Sequence, residues 1–243
     1  RRQRQMCIRD SAENNNEFDH EKYTSNSVSL NGDSGKIIFN NDSLSFQSPI
    51  DNDLLAKGFI FKPLSQALIE HGDLIKSYFM KEEPKLGSDK FYRLNQARQK
   101  EGYFVYIPEG LSIPKPIEVF NWISGKDSAI FPYNLIVCDK GSEVSVAEYV
   151  ASADDQFGLV CGVSDLIAED DSKLTYVRTQ NLSEKAHSIQ LSNVLSHNNS
   201  KVKNFSLNLG CEWLRHESVS RLLGKGANSE MISVSVPENS QEF

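Results

Sequence analysis

The sequence predicts a mainly β protein, a β-solenoid core preceded by a small mixed lobe that holds a few helices. Three observations lead there. Gly102–Trp122 reads GYFVYIPEGLSIPKPIEVFNW: a run of aromatic and β-branched residues, a break at Pro108-Glu109-Gly110, and a second strand from Ile117. The same unit of apolar strand, Gly/Asn/Asp corner and alternating strand recurs to residue 236, with no helix inside it. Its corners begin at Gly110, Gly141, Asp171, Asn199 and Gly226, spaced 31, 30, 28 and 27 residues apart. A period of that size marks a repeat architecture, in which each unit buries its apolar face only against its neighbours.

Strand geometry turns the period into a shape. A strand advances about 3.3 Å per residue while stacked coils lie about 4.8 Å apart, so each unit must travel around a wide, flattened coil. Alternation places Val144, Val146, Leu174, Tyr176, Val202, Met231 and Ile232 inside, with Glu143, Lys173 and Lys201 outward. A slip of one residue would exchange the two sets, so the alternation also fixes the register.

Ahead of the solenoid the signals are mixed. Residues 12–27 are polar and predict a disordered or loosely attached segment. Ser27–Leu30 and Lys36–Phe39 flank Asn31–Gly35 as a hairpin, with Ser43–Phe46 as a third short strand. Helices are predicted over 63–82, broken at Gly72, and over 88–101. Pro63 opens the first, Ser88 or Asp89 caps the last, and Gly102 stops it. The domain reading is therefore residues 12–101 as the lobe and 102–243 as the solenoid.

Both ends look non-native. Met6–Ser11 resembles a translated sequencing-adapter peptide, so residues 1–11 are set aside as contributing nothing to folding. Phe243 falls in mid-pattern, which reads as a solenoid cut short of its C-terminal portion.

Composition excludes several functions. A net charge of −7 is wrong for a nucleic-acid surface, which needs clustered Lys and Arg. No apolar stretch reaches the roughly 18 residues of a membrane helix. Four scattered cysteines, Cys7, Cys138, Cys161 and Cys211, suit a reducing, cytoplasmic compartment better than a disulfide scaffold.

Several ordered segments match a known family. They are Leu86–Phe91, Leu94-Asn95, Ala97, Gly102–Gly110, Pro116-Ile117, Asp139–Val144, Thr179–Asn181, and Leu209-Gly210 followed by Arg215. Gly58–Phe61 and Ala67–His71 add to them. Together, over roughly residues 54–243, they resemble the SufB/SufD family of iron–sulfur cluster assembly scaffolds. Leu209–Arg215 resembles the SufD branch more than the SufB branch. The resemblance implies a right-handed parallel β-helix and a non-enzymatic scaffold of the SUF system. It also implies a SufB-like partner and a SufC-like ATPase. The family's cluster-building and ATPase-docking residues are expected beyond Phe243, so a transient iron–sulfur cluster belongs to the full complex. No catalytic, cofactor-binding or metal-ligating residue is assigned to this chain.

The individual candidates favour ordinary roles. Cys138, Cys161 and Cys211 form no C-x-x-C pair, and buried free cysteine is common. His216-Glu217 lacks a matching ligand spacing and reads as a surface His at a strand end. His197-Asn198-Asn199 and Gly224-Lys225-Gly226 read as corners, the latter lacking a phosphate-loop pattern. Asp154-Asp155 and Glu169-Asp170-Asp171 read as solvated acidic turns. The alternative function is a β-helix enzyme or binding module for polysaccharide, which expects an acidic or calcium cluster along one long face.

Overall fold

The structure is a computed structural model that describes residues 19–25, 30, 32–80, 87–238 and 240–243. The chain runs α1 (His20–Ser25), β1 (Gly35–Asn40), β2 (Ser43–Gln47), α2 (Asn52–Ala56), β3 (Ile60–Pro63), α3 (Leu64–Glu70), α4 (Gly72–Lys76) and α5 (Asp89–Arg98). Eleven strands follow: β4 (Gly102–Ile107), β5 (Ile117–Ile123), β6 (Ser128–Ile130), β7 (Tyr133–Cys138), β8 (Glu143–Ser152), β9 (Gly158–Ala168), β10 (Lys173–Asn181), β11 (His187–Ser196), β12 (Lys201–Asn208), β13 (Trp213–Leu222) and β14 (Asn228–Ser235).

These strands stack into two facing sheets. Sheet A has the order β14-β12-β10-β8-β5-β1-β2 and sheet B the order β13-β11-β9-β7-β4-β3, with β6 beside β9. From β4 onward the chain alternates between sheets, apart from the short β6, which shares sheet B with β7, and the pairings among these strands are parallel. The result is a β-solenoid of about five turns.

Each turn is closed by a corner in which the first residue takes a left-handed conformation. Gly110, Gly141, Asp171, Asn199 and Gly226 have φ of 71°, 65°, 61°, 53° and 73°, which glycine tolerates freely and Asn or Asp better than most. The corners bond to one another as a ladder: Gly110 N to Lys140 O, Gly141 N to Asp170 O, Asp171 N to Asn198 O and Asn199 N to Lys225 O, all at 2.8–2.9 Å. Behind them Ser142, Ser172 and Ser200 are buried. The repeat seen in the sequence is this column.

The two sheets differ in how far their outer faces are covered: in sheet A, β5 is buried on both faces, with Tyr23 of α1 against Trp122, but the strands beyond it are not. Strands β8, β10 and β12 alternate buried with part-exposed residues, the pattern of a sheet with one wet face. Strands β7, β9 and β11 are buried on both faces. Their outer cover is the helical lobe, where Leu64, Ala67 and Ile75 pack on Phe104, Tyr133, Leu135 and Val137. Inside, Val144, Val146, Leu174, Tyr176 and Val202 join one core with Ile37, Phe39 and Tyr103.

Several expectations are corrected. The lobe is no mere entrance: β1 pairs in parallel with β5 and so extends sheet A. The hairpin is β1–β2, turning at Asn41 (φ 53°), whereas Leu30 lies outside any strand and Ser27–Ser29 lie outside the described residues. Pro63 ends β3 and precedes α3 rather than opening it. Ile232 pairs with the outward Phe205, and Met231, though paired with the inward Asn204, is 49% exposed because β14 is the end strand of its sheet. The readings of residues 1–11 and of 12–18 fall outside the described residues, but within the 12–27 segment expected to be disordered or loosely attached His20–Ser25 forms α1, held by Tyr23 against Trp122 at 5.3 Å.

Candidate functional site

The solenoid interior changes character across each coil. Inward positions of β8 run Val144, Val146, Glu148, Val150; those of β10 run Leu174, Tyr176, Arg178, Gln180; those of β12 run Val202, Asn204, Ser206, Asn208, all of them buried. Apolar near the corner, the core becomes polar in the middle of the coil, and Val150 then joins a further apolar cluster with Leu182 and Leu214.

Glu148, 3% exposed, is the hub. Its Oε1 accepts from Asn121 Nδ2 at 2.7 Å and Asn134 Nδ2 at 3.1 Å, and its Oε2 accepts from the Tyr176 hydroxyl. Ser164 Oγ lies 3.2 Å from that hydroxyl and takes a bond from Gln190 Nε2 at 3.1 Å. Arg178 stands next to Glu148 in the ladder and is 1% exposed. Its Nη1 and Nη2 have no hydrogen-bond partner. Burial, then the Glu148 charge, pushes the Tyr103 and Tyr176 phenols well above their ordinary range. Both phenols stay protonated, and the array is a charge-balanced lattice of donors and acceptors rather than a nucleophilic centre.

His216, read from the sequence as a surface residue at a strand end, is half-buried on the end strand β13. It faces inward, with Ser206 Oγ 3.5 Å from Nε2 and Ser233 Oγ 3.5 Å from Nδ1. Burial, helped by the Arg178 charge, depresses it from 6.5 to about 4. The unfolded chain therefore takes up this proton first. The stability that neutral His216 contributes is complete above pH 6.5 and is lost as pH falls toward 4. Asp165, which burial raises from 3.8 to about 6, acts oppositely and favours the folded state when protonated. Comparing urea midpoints of the parent and His216→Gln between pH 7 and 4 isolates the histidine: the parent should lose stability relative to the variant on acidification. Parallel curves would contradict the assignment.

The three described cysteines are buried but not gathered. Cys138 belongs to the interior core, Cys161 to the cluster under the lobe, and Cys211 to a third cluster with Leu182 and Leu214. Burial pushes their thiols to about 12, 11 and 11, away from the thiolate a metal requires. Among the described residues no group of three or more His, Cys, Asp or Glu could hold a metal.

The corner candidates serve the backbone. Asp170 Oδ1 accepts from Asn198 N at 2.9 Å, Asp171 Oδ1 from Asn199 Nδ2 at 3.0 Å, and Asn198 Oδ1 from Lys225 N at 2.9 Å. His197 lies 3.8 Å from Glu169. Asp154 accepts from Gly125 N at 2.7 Å, and Asp155 pairs with Lys185 at 2.6 Å. No long acidic face results.

Two features escaped the sequence. Under the lobe, Tyr133 OH donates to Asp165 Oδ2 at 2.5 Å and accepts from Met80 N at 3.2 Å. At the opposite end from β2 and β3, β13 and β14 are the end strands of their sheets. There Leu222, Leu223, Met231, Ile232, Val234 and Val236 are exposed. Glu242 pairs in parallel with Trp213, and a cleft of about 380 Å³ opens between Trp213–Glu217 and Glu242-Phe243. It is the uncovered edge of β13.

Comparison with known proteins matches both parts of the chain. Residues 121–243 match the family described as SUF system FeS cluster assembly, SufBD core domain. Residues 13–119 match the SufBD protein N-terminal region. An iron-sulfur cluster assembly SufBD family protein of Staphylococcus haemolyticus is 27% identical over 186 residues, 76% of this chain and 40% of that protein. One from Staphylococcus epidermidis is 26% identical over 193 residues, 79% of this chain and 41% of that protein. The iron-sulfur cluster assembly protein SufD of Bacillus subtilis is 30% identical over 135 residues, 55% of this chain and 31% of that protein. The chain thus spans about 40% of the length of the staphylococcal relatives it matches. With its solenoid and its lobe each matched in order, the chain belongs to the SufBD family.

Proposed function

We propose that this chain is a SufD-like scaffold of iron–sulfur cluster assembly, working in the cytoplasm with a homologous SufB-like subunit and a SufC-like ATPase. The family match over both halves carries the reading, and the architecture supports it. A stack of parallel coils locked by a corner ladder is stiff, as a scaffold requires. The three cysteines support a non-catalytic role, because they lie in separate clusters with their thiols protonated. By this reading the chain alone neither retains a cluster nor hydrolyses ATP, and the cluster forms only in the assembled complex.

A chimera tests it. Residues 12–243 replace the corresponding part of the Bacillus subtilis SufD, and the folded chimera is co-expressed with that organism's SufB-like and SufC-like proteins. Stoichiometric co-purification of both is the expected result. A folded chimera that captures neither refutes the scaffold assignment. The 243-residue chain reconstituted anaerobically with iron and sulfide and then desalted should retain neither. Stoichiometric retention that disappears in the Cys138, Cys161 or Cys211→Ser variants would convert those cysteines into ligands.

A further inference from the structure

Helix α5 is seated differently from the rest of the lobe. Helices α3 and α4 plug Leu64, Ala67 and Ile75 into the apolar outer face of sheet B. Of the ten residues of α5, only Tyr92 and Asn95 are buried; Tyr92 joins the same apolar cluster, with Phe91 and Leu94 packed against it. The remaining fasteners are polar. Asn95 Nδ2 donates to Pro132 O at 3.0 Å and to Cys161 O at 2.9 Å. At the other end, Ser88 N donates to Glu217 Oε2 at 3.1 Å and the Ser88 hydroxyl to Oε1. Arg215 Nε steadies that carboxylate at 2.6 Å. A carboxylate here also faces the positive end of the helix.

Polar fasteners hold position, yet water replaces them at little net cost, unlike buried apolar area. The seated helix also carries a penalty. Asn95 Oδ1 and, at the C-cap, Gln99 Oε1 are buried without a hydrogen-bond partner, and lifting the helix would hydrate both. Beneath it lies Cys161, whose Sγ is 3.6 Å from Phe91 O and which is fully buried.

We propose that α5 is a releasable strap: it lifts from sheet B as a unit while the solenoid stays folded, and Glu217 on β13 is the catch that sets how often it lifts. Local opening of this kind draws on the weakly held parts of a fold, and α5 fully buries one apolar side chain, Tyr92, beside its polar fasteners. Cys161 reports it, because release uncovers this thiol while Cys138 and Cys211 remain inside the coils.

The test labels the full 243-residue chain with an aromatic disulfide reagent under native conditions and resolves each cysteine by peptide mass. Cys161 should react at least about tenfold faster than Cys138 and Cys211. Glu217→Gln keeps the shape and removes the charge, and it should speed Cys161 a further tenfold or so with the other two unchanged. Equal rates for Cys138, Cys161 and Cys211 in the parent chain would show that only global unfolding exposes Cys161, and would overturn the strap. A fast Cys161 that ignores Glu217→Gln would remove Glu217 as the catch. Should that variant misfold, shown by faster labelling of Cys138 as well, Ser88→Ala decides: selective acceleration of Cys161 supports the proposal, and uniform or absent acceleration refutes it.

Discussion

Glu148→Ala is expected to destabilise the protein by about 3–5 kcal/mol, because it strands a buried guanidinium. Arg178 has no hydrogen-bond partner for Nη1 or Nη2, and Glu148 is its register partner in the ladder. The same change removes the acceptor for Asn121, Asn134 and Tyr176. Denaturant midpoints measure the loss. The double variant Glu148→Ala/Arg178→Met should recover much of it, since replacing both buried charges with apolar groups is often close to neutral. A single variant within about 1 kcal/mol of the parent would mean that Arg178 finds its compensation elsewhere.

Gly102→Ala is the second change expected to be severe. A Cβ at Gly102 would lie 1.9 Å from Tyr133 O and 2.6 Å from Tyr133 C, and the two residues face each other where β4 pairs with β7. Backbone cannot yield as a flexible side chain can, so the first coil must separate from the second. A loss of at least about 3 kcal/mol, or failure to fold, is expected. Soluble expression and a thermal melt would show it, and a melt matching the parent would refute the close approach.

Gly102 also shows where sequence reasoning stops. It reads as the stop signal of a helix, and α5 does end at Arg98, yet the stronger constraint comes from a strand 31 residues further on. Features repeated along the chain were legible: the five left-handed corners stand where the aligned Gly, Asp and Asn residues placed them. The polar interior was half legible, because the alternation through Val144 and Val146 already sends Glu148 inward. Contacts across long separations left no local trace. Ser88 meets Glu217 across 129 positions, and β1 reaches β5 after the whole lobe intervenes. His216 was misplaced for a related reason: its neighbours Ser206 and Ser233 come from two other strands, and nothing beside it in sequence announces an interior.

The column of corners has a mechanical consequence. Because each turn is fastened to the next by its own rung of backbone bonds and closed at a corner, load applied along the stack meets the coils one at a time. Stretched by its ends in an optical trap, the solenoid should lengthen in discrete steps, each releasing one turn. With corners 27–31 residues apart, a released turn adds up to about 90–110 Å of contour length. Such a molecule extends like a ladder losing rungs rather than like a globule giving way at once.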